Sequence, residues 1–112
     1  MVEVEPGQIY WLRPDSTVGR EQSGRRPAVV VSGHGFNEAI TMLAWVVPVT
    51  TRDRGWNNHV PLLGPTGLGR QSFGMTEQLR VISRERIDGL IGRVDAQTLA
   101  HIRQQILDFL YD

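Results

Sequence analysis

The chain has 112 residues, 40% of them hydrophobic, which suits one compact domain (residues 1–112) and argues against disorder. Acidic and basic residues balance at twelve each and cysteine is absent, so disulfides and thiolate metal sites are excluded and bulk attraction to nucleic acid is not expected. The longest apolar run, 42–49, is far shorter than the roughly 20 residues of a membrane helix. The first residues carry Glu3 and Glu5 and do not read as a signal peptide, so a soluble, cytoplasmic protein is expected.

Every basic side chain other than histidine is arginine; lysine is absent. Arginine offers a planar fork of donors suited to phosphates and base edges. With zero net charge, any basic function must be local, although a GC-rich genome accounts for the same bias.

In chain order, residues 8–12 read as a first strand, with Ile9 and Trp11 on one face and Tyr10 and Leu12 on the other. A polar segment follows over 15–26. The β-branched run 27–32 suits a strand buried on both faces. Residues 33–38 read as a loop and 40–49 as a long strand, with Pro48 interrupting its ladder near the end. A second polar loop spans 50–58, a short strand 59–63, and a glycine-rich turn 64–69. Strands at 72–75, 78–83 and 90–94 complete the sheet. The period then changes. Asp95 is a plausible N-cap for a helix over 96–110, with Leu99, Ile102, Ile106, Phe109 and Leu110 on one face. Short strands followed by one amphipathic helix predict a mainly β fold with α: a small, strongly bent β-barrel with the helix packed on it. Such a domain is near the lower limit of what one core stabilises.

Two polar loops carry the candidate chemistry. The first, Gly19-Arg20-Glu21-Gln22-Ser23-Gly24-Arg25-Arg26-Pro27, packs three arginines, a carboxylate and an amide between two strands. The second, Val49-Thr50-Thr51-Arg52-Asp53-Arg54-Gly55-Trp56-Asn57-Asn58, joins hydroxyls, arginines, an aromatic and amides. Arginine neutralises phosphate, Thr and Asn donate to phosphate oxygens, and Trp offers a stacking face for an unpaired base. By composition alone, both loops also fit ordinary solvated hairpins. His34, His59 and His101 are scattered and no acidic cluster suggests magnesium, so no metal and no cofactor are expected.

The order of residues in the first loop is more specific. It resembles the MazF/PemK signature G-x-E-Q-x-G-x-R-P, matching at Gly19, Glu21, Gln22, Gly24, Arg26 and Pro27. The opening Gly7-Gln8-Ile9-Tyr10-Trp11-Leu12, the strand Pro27-Ala28-Val29-Val30-Val31-Ser32, and Val47-Pro48-Val49-Thr50-Thr51 are similar to successive family segments. So are Gln78-Leu79-Arg80-Val81-Ile82, Ser83-Arg84-Glu85-Arg86-Ile87 and Ile91-Gly92-Arg93-Val94. Departures include Gln8 for the usual aspartate, Ser16 for proline, Arg20 for serine, and Arg13-Pro14 for an acidic-aromatic pair. They bear on the cleavage sequence and the shape of the groove.

The resemblance implies an SH3-like barrel of the CcdB/MazF kind. It implies a homodimeric, sequence-selective endoribonuclease toxin of a type II toxin–antitoxin system, acting on single-stranded RNA without metal. The 2′-OH would attack the adjacent phosphorus, leaving 2′,3′-cyclic phosphate and 5′-OH ends. Arg26 and Thr50 become the catalytic pair, and Glu21 a candidate acceptor for the 2′-OH proton, with an ion pair to Arg25 or Arg20 as its other reading. Arginine's high intrinsic pKa favours an electrostatic role over proton transfer. Arg20, Gln22, Arg25, Thr51, Arg52, Arg54, Trp56 and Gln78 are implied RNA contacts. The implied antitoxin partner carries an acidic, disordered tail. Two other readings stay open: a gyrase-poisoning toxin of the same fold, and a noncatalytic barrel that binds RNA or peptide.

Overall fold

The computed structural model describes residues 2–14 and 24–111. Arg20, Glu21 and Gln22 lie outside the described residues, as does most of the first polar loop. The described residues form seven strands: β1 (Gln8–Leu12), β2 (Arg26–Val30), β3 (Leu43–Thr50), β4 (His59–Pro61), β5 (Phe73–Met75), β6 (Arg80–Ser83) and β7 (Ile87–Arg93). Two helices accompany them, α1 (His34–Ala39) and α2 (Ala96–Tyr111), with single 3-10 turns at Thr76–Gln78 and Arg84–Arg86. The strands pair antiparallel in the order β4-β5-β3-β2-β1-β7, with β6 also paired to β3. The mainly β architecture with a C-terminal helix is the one expected.

Alternation along the strands feeds two cores, one on each face of the curled sheet. Tyr10, Leu12, Ala28, Val30, Ala44, Val46, Ile82 and Ile87 fill one. Ile9, Val29, Val47, Val60, Leu62, Val94 and Ile102 fill the other. Strands β1, β2 and β3 therefore put alternate residues into opposite cores, which pins their register, since a one-residue slip would exchange them.

Helix α2 closes the second core. Asp95 Oδ1 accepts the backbone N–H of Thr98 at 2.8 Å, the N-cap bond expected from the sequence. Ile102 is fully buried, and Leu99 and Ile106 pack beside it. The expected apolar face is shorter than its period suggested: Phe109 and Leu110 are exposed, because the last turn runs past the residues that form the core.

The loop expected at 33–38 is a correction, since α1 occupies most of it. Six residues are too few to be stable alone. Tertiary bonds hold them: Ser32 Oγ donates to Asn37 Oδ1 at 2.7 Å and Asn37 Nδ2 to the Ser32 carbonyl at 3.0 Å. The buried Arg84 guanidinium donates to four carbonyls, those of Asn37, Leu43, Val2 and Ile40, at 2.6, 2.8, 3.2 and 3.5 Å. Two of these are at the C-terminal end of α1, where helix carbonyls lack intrahelical partners.

Strand β3 starts at Leu43 rather than 40 and runs through Pro48 to Thr50. On one side its ladder to β2 continues across Pro48, which pairs with Ala28. On the other side β3 pairs with β6 over Leu43–Val46 and with β5 from Val49 onward. The interruption expected at Pro48 thus falls on one flank only, where a missing N–H donor coincides with a change of partner. Residue 78, expected at a strand start, closes the 3-10 turn before β6, and β7 begins at Ile87 rather than 90.

Candidate active site

The register of the central strands assembles the site. Leu12 pairs with Arg26 across β1–β2, and Thr50 with Phe73 across β3–β5. The β2–β3 pairs Val30↔Val46, Val29↔Val47 and Ala28↔Pro48, continued two residues further, bring Arg26 opposite Thr50. The pairs Leu12↔Arg26 and Thr50↔Phe73 thus lie at the same end of the sheet, beyond the last β2–β3 pair, Ala28↔Pro48. A cleft of about 310 Å³ opens at this end of the sheet, lined by Trp11, Arg26, Pro27, Val49, Thr50, Thr51, Leu68, Gly69, Arg70 and Ser72.

Arg26 is exposed, and its guanidinium has no hydrogen bond or ion pair with any described residue. Arg25, its neighbour, is engaged. Its Nη1 donates to the Asp88 carbonyl at 3.1 Å and lies 3.6 Å from the Asp88 carboxylate. Its guanidinium also stacks 4.9 Å from the Trp11 ring centroid. Asp88 holds Arg13 as well, at 3.2 Å. One carboxylate thus engages two guanidiniums, Arg13 and Arg25, while Arg26 has no partner among the described residues.

Thr50 Oγ1 accepts the backbone N–H of Arg52 at 3.1 Å, a short turn that ties the start of the second loop to the end of β3. Asp53 Oδ1 accepts the Gly55 N–H at 2.9 Å, and Gly55 adopts φ +72°, a left-handed conformation that glycine takes without strain. These bonds order a loop with no ladder of its own.

Arg54 and Trp56 form a second cluster away from the cleft lining. The Arg54 guanidinium lies 5.1 Å from the Trp56 ring centroid, and Trp56 packs at 4.8 Å on His59. His59 is buried, with Nε2 3.0 Å from Glu77 Oε2, while Asn58 Nδ2 donates to Glu77 Oε1 at 2.7 Å. Burial tends to raise the Glu77 pKa, but hydrogen bonds from His59, the backbone and Gln78 outweigh it and hold the carboxyl below its ordinary value. Glu77 thus anchors the far end of the second loop. Gln78 lies next to it on the 3-10 turn, with Nε2 3.6 Å from the Met75 sulfur.

Of the expected site residues, Arg26, Thr50 and Thr51 meet in the cleft, and Arg52 is tied to Thr50. Arg25 stands at the rim on Trp11. Arg54 and Trp56 cluster by β4, with Gln78 beside Glu77. Trp11, Arg70 and Ser72 were missed. Arg70 is adjacent to the glycine-rich turn and shows no pattern of its own; only the β3–β5 pairing brings it to the cleft.

Larger clefts exist, one of about 560 Å³, but that one is lined by Glu3, Glu5 and Glu38, which repel an anion. Among the described residues, no group of three or more His, Cys, Asp or Glu is placed to hold a metal ion. No described helix is long and apolar enough to cross a membrane. What the small cleft offers is two guanidiniums without a partner among the described residues, hydroxyls and an aromatic wall, a set that suits a phosphate with its attached sugar and base.

Fold and cleft together define a small, curled β-barrel with an arginine-bearing cleft at one end of its sheet. Comparison with known proteins gives the class its family. Residues 5–110 match the family model of the PemK-like, MazF-like toxin of type II toxin-antitoxin system, and the chain belongs to that family. It is 36% identical over 106 residues to Endoribonuclease MazF9 of Mycobacterium tuberculosis, covering 89% of this chain and 90% of that one. To the Endoribonuclease toxin MazF of Escherichia coli K12 it is 34% identical over 101 residues, covering 89% and 87%. Among solved structures, MazF of Deinococcus radiodurans superposes with TM-score 0.76 at 30% identity over 98% of each chain. A MazE-MazF structure from the same organism gives 0.82 at 28% identity, over 98% of this chain and 97% of that one.

Proposed function

We propose that this chain is a sequence-selective endoribonuclease toxin that cleaves single-stranded RNA without a metal ion. Its relatives' names supply the reaction class, and one observation carries the chemistry: Arg26, Thr50 and Thr51 line one cleft, and Arg26 has no partner among the described residues.

In the proposed reaction the ribose 2′-oxygen loses its proton and bonds to the adjacent phosphorus. The bond to the 5′-oxygen of the next nucleotide breaks, and that oxygen takes a proton. The products are a 2′,3′-cyclic phosphate and a 5′-hydroxyl. Negative charge grows on the phosphoryl oxygens in the pentacoordinate transition state. A guanidinium and a hydroxyl already held in place stabilise it without reorganising, an effect worth about 3–4 kcal/mol per well-placed donor. Arg26 and Thr50 take this role. Glu21, in the same loop as Arg26, is the proposed acceptor of the 2′-OH proton.

Arg25, Thr51 and Arg52 contact the RNA beside the cleft. Trp56 stacks on an unpaired base with Arg54 and Gln78 nearby, and Arg20 and Gln22 act from the first loop. The working unit is a homodimer in the cytoplasm. The family's place in toxin–antitoxin systems implies a partner with an acidic, disordered tail that orders over the same arginines and excludes RNA.

The test is incubation with an unstructured RNA and a DNA of the same sequence in excess EDTA. RNA cleavage with intact DNA is expected. Cleavage only after magnesium is added, or cleavage of the DNA, overturns the proposal.

A further inference from the structure

The cleft contains a second arginine in the same state as Arg26. Arg70 is exposed, lines the cleft, and has no hydrogen bond, ion pair or ring contact with any described residue. Its backbone, by contrast, is fixed. The buried Ser72 donates from Oγ to the Arg70 carbonyl at 2.9 Å, and the Ser72 carbonyl accepts the Leu62 N–H at 2.9 Å. Ser72 leads directly into β5, whose Phe73 pairs with Thr50. Arg70 thus approaches the cleft from β5, on the far side of Thr50 from Arg26.

Neighbouring strands lie about 4.8 Å apart, so the β5 approach is one such step beyond Thr50, and an arginine side chain adds its own reach. Arg26, Thr50 and Arg70 line one cleft, with Arg26 on β2 and Arg70 just ahead of β5, the strands on either edge of β3. A second unpaired cation a short step away suits the next phosphate of a chain running through the cleft. No carboxylate is among the described residues that line the cleft.

We infer that Arg70 binds a backbone phosphate adjacent to the scissile one, forming a subsite that draws single-stranded RNA across the Arg26–Thr50 pair. This rests on the endoribonuclease reading. Arg70 is a binding residue in this account: it neutralises charge that is the same in substrate and transition state, so its loss acts on KM more than on kcat.

The test uses an RNA carrying a 2′-deoxy nucleotide at the mapped cut site, which prevents cleavage, with single methylphosphonates that neutralise one phosphate at a time. Arg70→Ala is expected to raise Kd about tenfold and to flatten the slope of log K against log salt by about 0.7, the single-strand value for one lost phosphate contact. Arg70→Lys should recover much of the affinity, since a point charge still meets a phosphate. A methylphosphonate next to the cut site should weaken native binding yet leave Arg70→Ala almost unaffected, a coupling that a merely structural role would not produce. Arg93→Ala, on an exposed arginine outside the cleft, should change none of these. Native-like Kd and salt slope in Arg70→Ala, or no coupling to either neighbouring phosphate, overturns the inference while leaving the endoribonuclease reading intact. Failure of the native protein to bind or cut RNA overturns both.

Discussion

Thr50 Oγ1 accepts the backbone N–H of Arg52 at 3.1 Å. The bond occupies one lone pair of the hydroxyl and leaves its proton available to donate. Thr50 is therefore set up as a donor toward the cleft rather than as an acceptor. Thr50→Val, nearly the same shape without the hydroxyl, is expected to cut RNA roughly a hundredfold or more slowly, with an unchanged circular dichroism spectrum. Thr50→Ser keeps the donor and should stay within about tenfold of the native rate. An active Thr50→Val would remove Thr50 from the chemistry.

Arg25 and Arg26 are adjacent in sequence and opposite in circumstance. Arg25 is committed to Asp88 and Trp11; Arg26 lines the cleft with Thr50 and has no partner among the described residues. Arg26→Ala should lower kcat roughly a hundredfold or more, and Arg26→Lys should restore little, because an ammonium lacks the directed fork. Arg25→Ala should raise KM with a smaller effect on kcat. The reverse pattern in single-turnover and steady-state kinetics would mean that the other arginine does the chemistry.

Glu77 links the second loop to the sheet through His59 and Asn58. Its carboxyl is held below the ordinary value of 4.5 in the folded chain. A group with a depressed folded pKa adds stability above its unfolded pKa and loses it as pH falls through the folded value. Glu77→Gln is therefore expected to be less stable than the native protein near neutral pH, by up to about 1 kcal/mol for a partly exposed pair. The gap should begin to close below about pH 4.5 and vanish in stronger acid. Urea unfolding of both proteins across this range checks it; a gap that widens as pH falls contradicts the assignment.

Arg84 has a purely architectural role. Its guanidinium joins the N-terminal segment, α1 and the start of β3 through four carbonyls. Arg84→Met keeps much of the volume but leaves those acceptors buried and unpaired. A loss of about 3 kcal/mol is expected, read by urea unfolding, with cleavage retained at low temperature. A native-like midpoint would show that water or a rearranged carbonyl replaces the guanidinium.

Periodicity made the strand at Gln8–Leu12 and the long C-terminal helix legible, since Ile9 and Ile102 recur in phase with buried neighbours. Helix α1 was not legible. It is short, carries Gly35, and owes its stability to Arg84, which lies far along the chain. The candidate site was legible as residue types in two loops but not as a place. Arg26 and Thr50 meet because β2 and β3 pair in one register, and Arg70 joins them because β5 pairs with the other edge of β3. Such long-range pairing leaves no mark at the positions it brings together. Trp11 read only as a β1 residue sharing a face with Ile9; it is half-buried and its ring carries Arg25 beside the cleft.

The central claim is that Arg26 and Thr50 stabilise attack by the ribose 2′-oxygen on phosphorus. Its most direct test is the chemistry of the cut ends, with EDTA present, on two RNAs that differ only by a single 2′-deoxy nucleotide at the cleavage site. The account predicts 2′,3′-cyclic phosphate and 5′-hydroxyl ends on the all-ribose strand and no cut at the deoxy position. Cleavage at the deoxy position, or 5′-phosphate ends, would contradict it, because water and not the 2′-oxygen would then be the nucleophile.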